Sequence, residues 1–214
     1  MDVSAATLIG LFDRIGIVAF AFAGVDVGLK RRFDLFGLVV IGVVTAAGGG
    51  LLRDVILGRV PLILVREDYL VIAVGASLAA VALVPRDWRL LPRLLAAGSA
   101  LGLGAFTAAG ALAAISAGLP LPAVIIIGIL TATGGGVLRD LLADRVPLVL
   151  TSEVNASASA VGALTVWLLE PWSVEAAAIS AIVLTAALRF AATKLDLHLP
   201  VPGGGASRKP PPAD

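Results

Sequence analysis

Residues 45–64 read TAAGGGLLRDVILGRVPLIL and residues 131–150 read TATGGGVLRDLLADRVPLVL, so one motif occurs twice at an offset of 86 residues. Thirteen of the twenty positions are identical. Both copies lie in apolar stretches, where a glycine triplet weakens a helix and an Arg-Asp pair is costly in lipid. The repetition therefore predicts two similar halves arranged around a polar site in a membrane.

The composition is that of a membrane protein. The 214 residues are 59% hydrophobic and 14% charged, with a mean hydropathy of +1.03, whereas soluble domains are about 45–50% apolar and about 25% charged. The net charge of +1 gives no indication of a nucleic-acid partner, and the absence of cysteine excludes disulfides and thiolate metal sites. With His198 as the only histidine, we expect no metal site, no cofactor and no enzymatic activity.

Seven apolar segments are long enough, or nearly so, to cross a bilayer, which takes about 20 residues in a helix. The sequence therefore predicts an all-α membrane protein. Its predicted transmembrane helices are Leu8–Leu29, Leu35–Leu57, Tyr69–Val84, Leu91–Ala117, Ala123–Leu142, Val154–Leu169 and Val174–Ala192.

The 86-residue offset extends beyond the motif, because Phe20 aligns with Phe106 and Gly24 with Gly110. Residues 8–84 then form a first three-helix repeat and residues 91–169 a second, while the seventh helix, residues 174–192, stands outside the repeat. Since each repeat has an odd number of spans, the two must enter the membrane from opposite sides. The sequence therefore predicts an inverted repeat.

Basic residues predict the orientation, because they concentrate in cytoplasmic loops. One side of the membrane would carry Lys30, Arg31, Arg32, Arg86, Arg89, Arg93, Arg145, Lys194, Arg208 and Lys209. The other side would carry only Arg59 and Arg66. We therefore expect the N-terminus outside and a disordered cytoplasmic tail over residues 200–214. Four aromatic residues near the predicted span ends fit the aromatic belts of a membrane protein: Tyr69, Trp88, Trp167 and Trp172.

The two glycine triplets, Gly48, Gly49 and Gly50 in the second span and Gly134, Gly135 and Gly136 in the fifth, admit two uses. Each glycine costs about 1 kcal/mol in a helix interior relative to alanine, so the helices can kink or unwind there and expose carbonyls to a wet cavity. Alternatively, the missing side chains let another helix approach closely. The repetition at matching depth, each time followed by Arg-Asp, favours the kink.

The Arg-Asp pairs also admit two interpretations. Adjacent helical residues point about 100° apart, so Arg53 could pair with Asp140, and Arg139 with Asp54, across the centre of the molecule. The same four residues could instead line a pore or contact a substrate, since charges within a membrane are candidate functional sites. Asp13 and Arg14 in the outer part of the first span could form a local polar patch.

The doubled motif in a seven-span chain resembles the prokaryotic trimeric intracellular cation (TRIC) channels, whose relatives are also described as UPF0126 and glycine-transporter-domain proteins. The resemblance covers about residues 10–195. It implies a homotrimer with one hourglass pore per subunit, lined by the kinked second and fifth helices. It also implies potassium as the main permeant ion, with weaker discrimination against sodium, in a bacterial or archaeal cell membrane.

By motif match, the resemblance assigns the six triplet glycines as kink positions and Arg53, Asp54, Arg139 and Asp140 as the associated polar pairs. Thr45, Thr131 and Thr133 flank the triplets and are candidate pore-lining hydroxyls. Membrane lipids are expected partners, and potassium is expected to bind only transiently.

Two functions remain open on sequence grounds. A passive cation channel needs a continuous wet path lined by carbonyls, hydroxyls and carboxylates. A secondary transporter for a small solute such as glycine would share the inverted repeats and the interrupted helices. The family resemblance favours the channel.

Overall fold

The computed structural model describes residues 3–83, 91–151 and 154–195, and all regular structure within these ranges is helical. Seven helices are long: α1 (Val3–Lys30), α2 (Leu35–Ile56), α4 (Glu67–Leu83), α5 (Leu91–Ser116), α6 (Leu121–Leu142), α8 (Val154–Leu169) and α9 (Val174–Lys194). Two single-turn helices follow α2 and α6, namely α3 (Leu62–Val65) and α7 (Leu148–Thr151).

The seven long helices lie where the apolar segments predicted them, with ends that differ by a few residues. Four stretches within the described ranges are long and apolar enough to cross a membrane: Leu35–Ile56, Ala96–Ser116, Leu121–Leu142 and Val174–Lys194. The predicted disordered tail, residues 200–214, lies outside the described residues, as do Arg86, Trp88, Arg89 and His198.

The predicted helix count omits α3 and α7. Pro61 and Pro147 follow the ends of α2 and α6, where proline is an ordinary signal that a helix stops. Pro61 is also the N-cap of α3, and Pro147 directly precedes α7. The fixed φ of proline, and its missing N–H, suit the start of a helix as well as the region after one.

The two repeats contact each other through equivalent helices. Helix α1 packs against α5 and α2 packs against α6, while α4 and α8 occupy equivalent outer positions against α1 and α5. Phe20 and Phe106, which occupy equivalent positions, meet with their ring centroids 5.2 Å apart. Helix α9 packs mainly on α5 and α8, with a small contact to α1, and therefore adds chiefly to the second repeat.

Candidate functional site

The glycine triplets of α2 and α6 face each other where these helices pack together. A Cβ atom added at Gly49 would overlap the backbone carbonyl oxygen of Thr131, and one at Gly135 would overlap that of Thr45. Any side chain at these two positions would therefore collide with the opposite backbone. Glycine at the middle of each triplet is what lets the two helices approach this closely.

The flanking positions of the triplets are less restricted. A Cβ atom at Gly48 would lie 2.7 Å from Leu138 Cδ1, and one at Gly134 would lie 2.8 Å from Leu52 Cδ1. At Gly50, by contrast, the nearest atom would be 3.8 Å away, and at Gly136 it would be 3.9 Å away. The triplet therefore has a crowded start and middle and an open third position.

Both triplets lie within uninterrupted helices, since α2 and α6 run through them without a break. The unwinding considered from the sequence is thus not observed, and the close approach of two helices is. The physical reason is that each triplet gains contacts with the opposite triplet while keeping its helical hydrogen bonds. A kink that leaves those hydrogen bonds intact stays a prediction.

The three threonines next to the triplets donate their hydroxyl hydrogens to carbonyl oxygens of their own helix. Thr45 bonds to Ile41, Thr131 bonds to Ile127 at 2.7 Å, and Thr133 bonds to Ile129 at 2.7 Å. Thr45 and Thr131 are fully buried. They are also the nearest neighbours that a side chain at Gly24 or Gly110 would meet. The hydroxyls of Thr45 and Thr131 therefore pack between helices here, and their role in a pore stays a prediction.

Arg53 is the centre of a buried polar cluster in the first repeat. Its Nη1 and Nη2 atoms donate to the two carboxylate oxygens of Asp13 at 2.9 and 3.0 Å. Its Nε atom donates to Asp54 Oδ1 at 2.8 Å. Arg53 is only 1% exposed, and this bidentate arrangement is the geometry that stabilises a buried guanidinium best.

Arg139 makes only one of these two contacts. Its Nε atom donates to Asp140 Oδ1 at 2.8 Å, and its Nη2 atom lies 2.7 Å from the same oxygen. The position equivalent to Asp13 is Ser99, so the second repeat lacks the bidentate carboxylate. Among the described residues, Asp140 is the single acidic partner of Arg139.

The predicted exchange of partners between the repeats is wrong. In the described parts of the chain, no ion pair joins Arg53 to Asp140 or Arg139 to Asp54. Each arginine instead pairs with the aspartate that follows it. The 100° separation applies to the Cβ directions, and the long arginine side chain can curl back so that its Nε reaches the neighbouring carboxylate.

Each of these aspartates also holds the short helix that follows it. Asp54 Oδ2 accepts a hydrogen bond from the backbone N–H of Leu62 at 3.0 Å. Asp140 Oδ2 accepts one from Leu148 N–H at 3.0 Å. These N–H groups begin α3 and α7, where no helical partner is available to them. The Arg-Asp pair therefore fixes the loop beyond each glycine-rich helix.

Asp13 and Arg14 do not form a joint patch, because they face different partners. Asp13 contacts Arg53, whereas Arg14 Nε donates to Asp68 Oδ2 at 3.1 Å. Arg14 also lies 4.8 Å above the Tyr69 ring, and Nη1 donates to the Gly10 carbonyl at 2.9 Å. These contacts join α1 to the start of α4.

The aromatic-belt interpretation fails for Tyr69 and stays a prediction for Trp167 and Trp172. Trp167 and Trp172 are exposed, at 40% and 80%. Tyr69 is buried, and its hydroxyl donates to the Gly10 carbonyl at 3.3 Å. Sequence position near a span end cannot distinguish a ring that faces lipid from one that packs on a neighbouring helix.

A small pocket with a cavity volume of about 20 Å³, room for about one water molecule, lies in the first repeat beside the helix crossing. Its polar lining consists of Asp13, Arg53, Asp54 and Tyr69. Gly50, the open third position of the triplet, also borders it. The pocket therefore connects the Arg53 cluster to the glycine-rich crossing. No group of three acidic, histidine or cysteine side chains suited to a metal ion occurs in the described residues.

Two contributors to these clusters did not stand out in the sequence. Asp13 was predicted only as part of a local polar patch, and no role was predicted for Arg189 of α9. Arg189 Nη1 donates to the Ser99 carbonyl at 2.7 Å. The sequence contains a signal for both residues. Asp13 aligns with the uncharged Ser99 at the 86-residue offset, and Arg189 is a charged residue in an apolar helix outside the repeat.

Comparison with known proteins agrees with the repeat. The family model described as glycine transporter matches residues 10–85 and, a second time, residues 97–171. The chain belongs to this family. The resemblance to the prokaryotic TRIC channels is also confirmed, because their solved structures share both fold and sequence with this chain.

The relatives of this family member are membrane proteins of bacteria. A UPF0126 membrane protein of Deinococcus radiodurans is 40% identical over 193 residues, which cover 88% of this chain and 89% of the relative. The UPF0126 inner membrane protein YadS of Escherichia coli K12 is 34% identical over 197 residues, covering 90% of this chain and 95% of YadS. The chain is therefore a multi-pass membrane protein.

Three solved TRIC structures have the same fold. A TRIC cation channel, solved to give the structural basis for conductance, superposes on this chain with a TM-score of 0.84. The two sequences are 37% identical, and the match covers 92% of this chain and 98% of the channel. A prokaryotic TRIC channel crystallised in 0.5 M KCl superposes with a TM-score of 0.82 at 32% sequence identity, and the match covers 91% of this chain and 100% of that channel. The TRIC channel orthologue from Rhodobacter sphaeroides superposes with a TM-score of 0.82 at 30% sequence identity, and the match covers 89% of this chain and 100% of the orthologue.

Proposed function

We propose that this family member is a monovalent cation channel, permeable mainly to potassium and also to sodium, with one pore in each subunit of a homotrimer. The observation that carries the proposal is the match over almost the whole chain to a TRIC cation channel at 37% identity. The matched region includes the helices that carry the glycine triplets and the Arg-Asp pairs, and therefore includes the candidate site.

In the proposed arrangement, seven helices cross the cell membrane of a bacterium or an archaeon. Residues 8–84 and 91–169 form two inverted three-helix repeats, and residues 174–192 form the seventh span. The N-terminus is outside and the tail, residues 200–214, is cytoplasmic. Exposed apolar side chains on the outer helices, such as Val71, Ile179 and Val183, would contact membrane lipids.

The pore would pass between α2 and α6 at their crossing, where the triplets serve as kink positions. In this structure the two triplets are in backbone contact, so no ion passes between them. Opening therefore requires that α2 and α6 shift relative to each other, and the weak helix propensity of three successive glycines lowers the cost of such a bend. The pocket lined by Asp13, Asp54 and Tyr69 supports this route, because it brings polar groups to the edge of the crossing.

A second function, transport of a small solute such as glycine, is supported by the description of the matching family. The described pocket has room for about one water molecule, so a solute would bind there only after α2 and α6 separate, as in the alternating access of a secondary transporter. A zwitterion would find both a guanidinium and carboxylates there.

Purified protein in planar bilayers distinguishes the two functions. Under a potassium gradient, we expect resolvable unitary currents that reverse close to the potassium equilibrium potential. Vesicles lacking the protein serve as the control for contaminating channels. Uptake of radiolabelled glycine into proteoliposomes without any unitary current would overturn the channel and establish the transporter.

A further inference from the structure

The polar clusters of the two repeats differ in formal charge. In the first repeat, Arg53 contacts both Asp13 and Asp54, so one positive charge meets two negative charges. All three side chains are buried. The cluster borders the pocket that leads to Gly50. Its formal charge is therefore −1 on this side of the helix crossing.

The second cluster has the opposite sign. Arg139 contacts Asp140, and Ser99 occupies the position equivalent to Asp13. Helix α9 then adds Arg189, whose Nη1 donates to the Ser99 carbonyl at 2.7 Å. In the part of the chain that the structure describes, Arg189 has no carboxylate within ion-pair distance. Two positive charges thus meet one negative charge, which gives +1.

The remaining charges around the first cluster do not offset the difference. Arg14 and Asp68 form an ion pair, and Asp68 also pairs with Arg66 at 3.3 Å. The surplus positive charge is that of Arg66, whose side chain is more than half exposed, so it is screened far more than the charges of the buried cluster. The positions equivalent to Arg14 and Asp68 in the second repeat are Ala100 and Val154, which are uncharged. The opposite signs of the two clusters therefore come from one replacement, Asp13 by Ser99, and one addition, Arg189.

We propose that these opposite charges make the cation current of each subunit rectify, with cations passing more readily from the first-repeat side to the second-repeat side. The inference rests on the proposed channel function and names Asp13, Ser99 and Arg189 as the positions that set the asymmetry. The negative cluster concentrates cations at its end of the path, whereas the positive cluster raises a barrier at the other end. An applied voltage lowers a barrier near the exit more effectively than one near the entrance.

The direction can be tested because Arg189 lies in the last turns of α9, so the chain leaves the membrane on the side of the second cluster. A C-terminal affinity tag, bound by antibody added to one chamber, reports the orientation of each channel in a planar bilayer. In symmetric KCl we expect about twofold larger current when potassium moves toward the chamber that holds the tag.

Two variants reduce the asymmetry in different ways, and together they remove it. Arg189→Gln deletes the added positive charge, and Ser99→Asp supplies the carboxylate that the first repeat has. Each variant changes the formal charge of the second cluster from +1 to 0 and is expected to lower the ratio of currents at opposite voltages from about 2 to about 1.4, whereas the double variant, with −1 at both clusters, is expected to bring it to about 1. Arg189→Lys, which keeps the charge, and Ser99→Asn, which adds a side chain of similar size without charge, are expected to retain the wild-type ratio.

The outcomes separate this inference from the proposed function. Unitary currents whose ratio is the same in wild type, Arg189→Gln and Ser99→Asp would overturn the inference and leave the channel intact. Absence of current from the wild-type protein would overturn the channel, and the inference with it. If Arg189→Gln fails to give folded trimers, the comparison of Ser99→Asp with Ser99→Asn decides alone.

Discussion

The two repeats share the contacts of their glycines and differ in the partners of their charges. Gly49 and Gly135 meet the opposite backbone in the same way, and each Arg-Asp pair holds a following helical turn. Yet Arg53 has two carboxylate partners and Arg139 has one. Backbone packing is therefore conserved between the halves of this chain, whereas the charge around it is free to diverge.

This difference has a physical basis. The crossing of α2 and α6 leaves no space for a Cβ atom at the middle of either triplet, so both halves require glycine there. A buried arginine needs a compensating charge, but a single aspartate can supply it, and further charges can then be added or omitted. Both repeats therefore need the same glycine at the crossing, whereas each repeat needs only enough negative charge to compensate its own buried arginine.

The largest effect should come from replacing the middle glycines. Gly49→Ala and Gly135→Ala should each destabilise the protein by about 3 kcal/mol, because the added methyl group overlaps a backbone carbonyl that cannot move without separating the helices. Thermal unfolding in detergent measures the loss. Equal losses at the two positions would support the shared packing of the repeats.

Two sets of matched variants control this measurement. Gly50→Ala and Gly136→Ala place the methyl group 3.8 or 3.9 Å from the nearest atom, so they should fold normally while stiffening the triplet. Gly75→Ala in α4 meets nothing within 4 Å. Normal stability of Gly49→Ala would contradict the contact between the triplets. Unchanged opening of the Gly50→Ala and Gly136→Ala double variant in bilayers would remove the kink from the proposed mechanism.

A smaller and unequal effect is expected when the motif aspartates are changed. Asp140→Asn leaves Arg139 without a carboxylate partner among the described residues, and should cost about 2–3 kcal/mol. Asp54→Asn should cost about 1 kcal/mol, because Asp13 still neutralises Arg53.

Chemical or thermal unfolding of the two variants, side by side, measures this inequality. Asparagine keeps a side-chain oxygen that can accept the N–H of Leu62 or Leu148, so the loss of charge is isolated from the loss of the cap. A greater loss of stability for Asp54→Asn than for Asp140→Asn would contradict the inference that Asp13 compensates Arg53 while Arg139 depends on Asp140 alone among the described residues. Normal current and normal trimers in Asp54→Asn would exclude that carboxylate from the function.

The smallest effect concerns Arg14, whose contacts exist only in the first repeat. Arg14→Gln removes a partly exposed ion pair with Asp68 and a cation–π contact with the buried ring of Tyr69. The expected cost is about 0.5–1 kcal/mol in thermal unfolding. Asp68→Asn should have a similar effect, and the double variant should cost less than the two single changes added together. Strict additivity would mean that the pair contributes nothing to the junction of α1 and α4.

Much of the fold followed from the sequence because its signals are local. The long apolar segments marked α1, α2, α4, α5, α6, α8 and α9, since a helix that spans lipid must satisfy its backbone internally over a fixed length. The 86-residue offset marked the repeat, and the Gly-Gly-Gly and Arg-Asp groups marked the site. Each of these features depends on residues close together in the chain.

Only the tertiary structure decided which of these residues meet. It showed backbone contact between the triplets in place of unwinding, pairing of Arg53 with Asp13 and Asp54 in place of Asp140, and the burial of Tyr69. It also brought Arg189 to Ser99 from a helix outside the repeat. The physical reason is that helix propensity and hydropathy act along the chain, whereas the partner of a charge or a glycine depends on how separate helices pack in space.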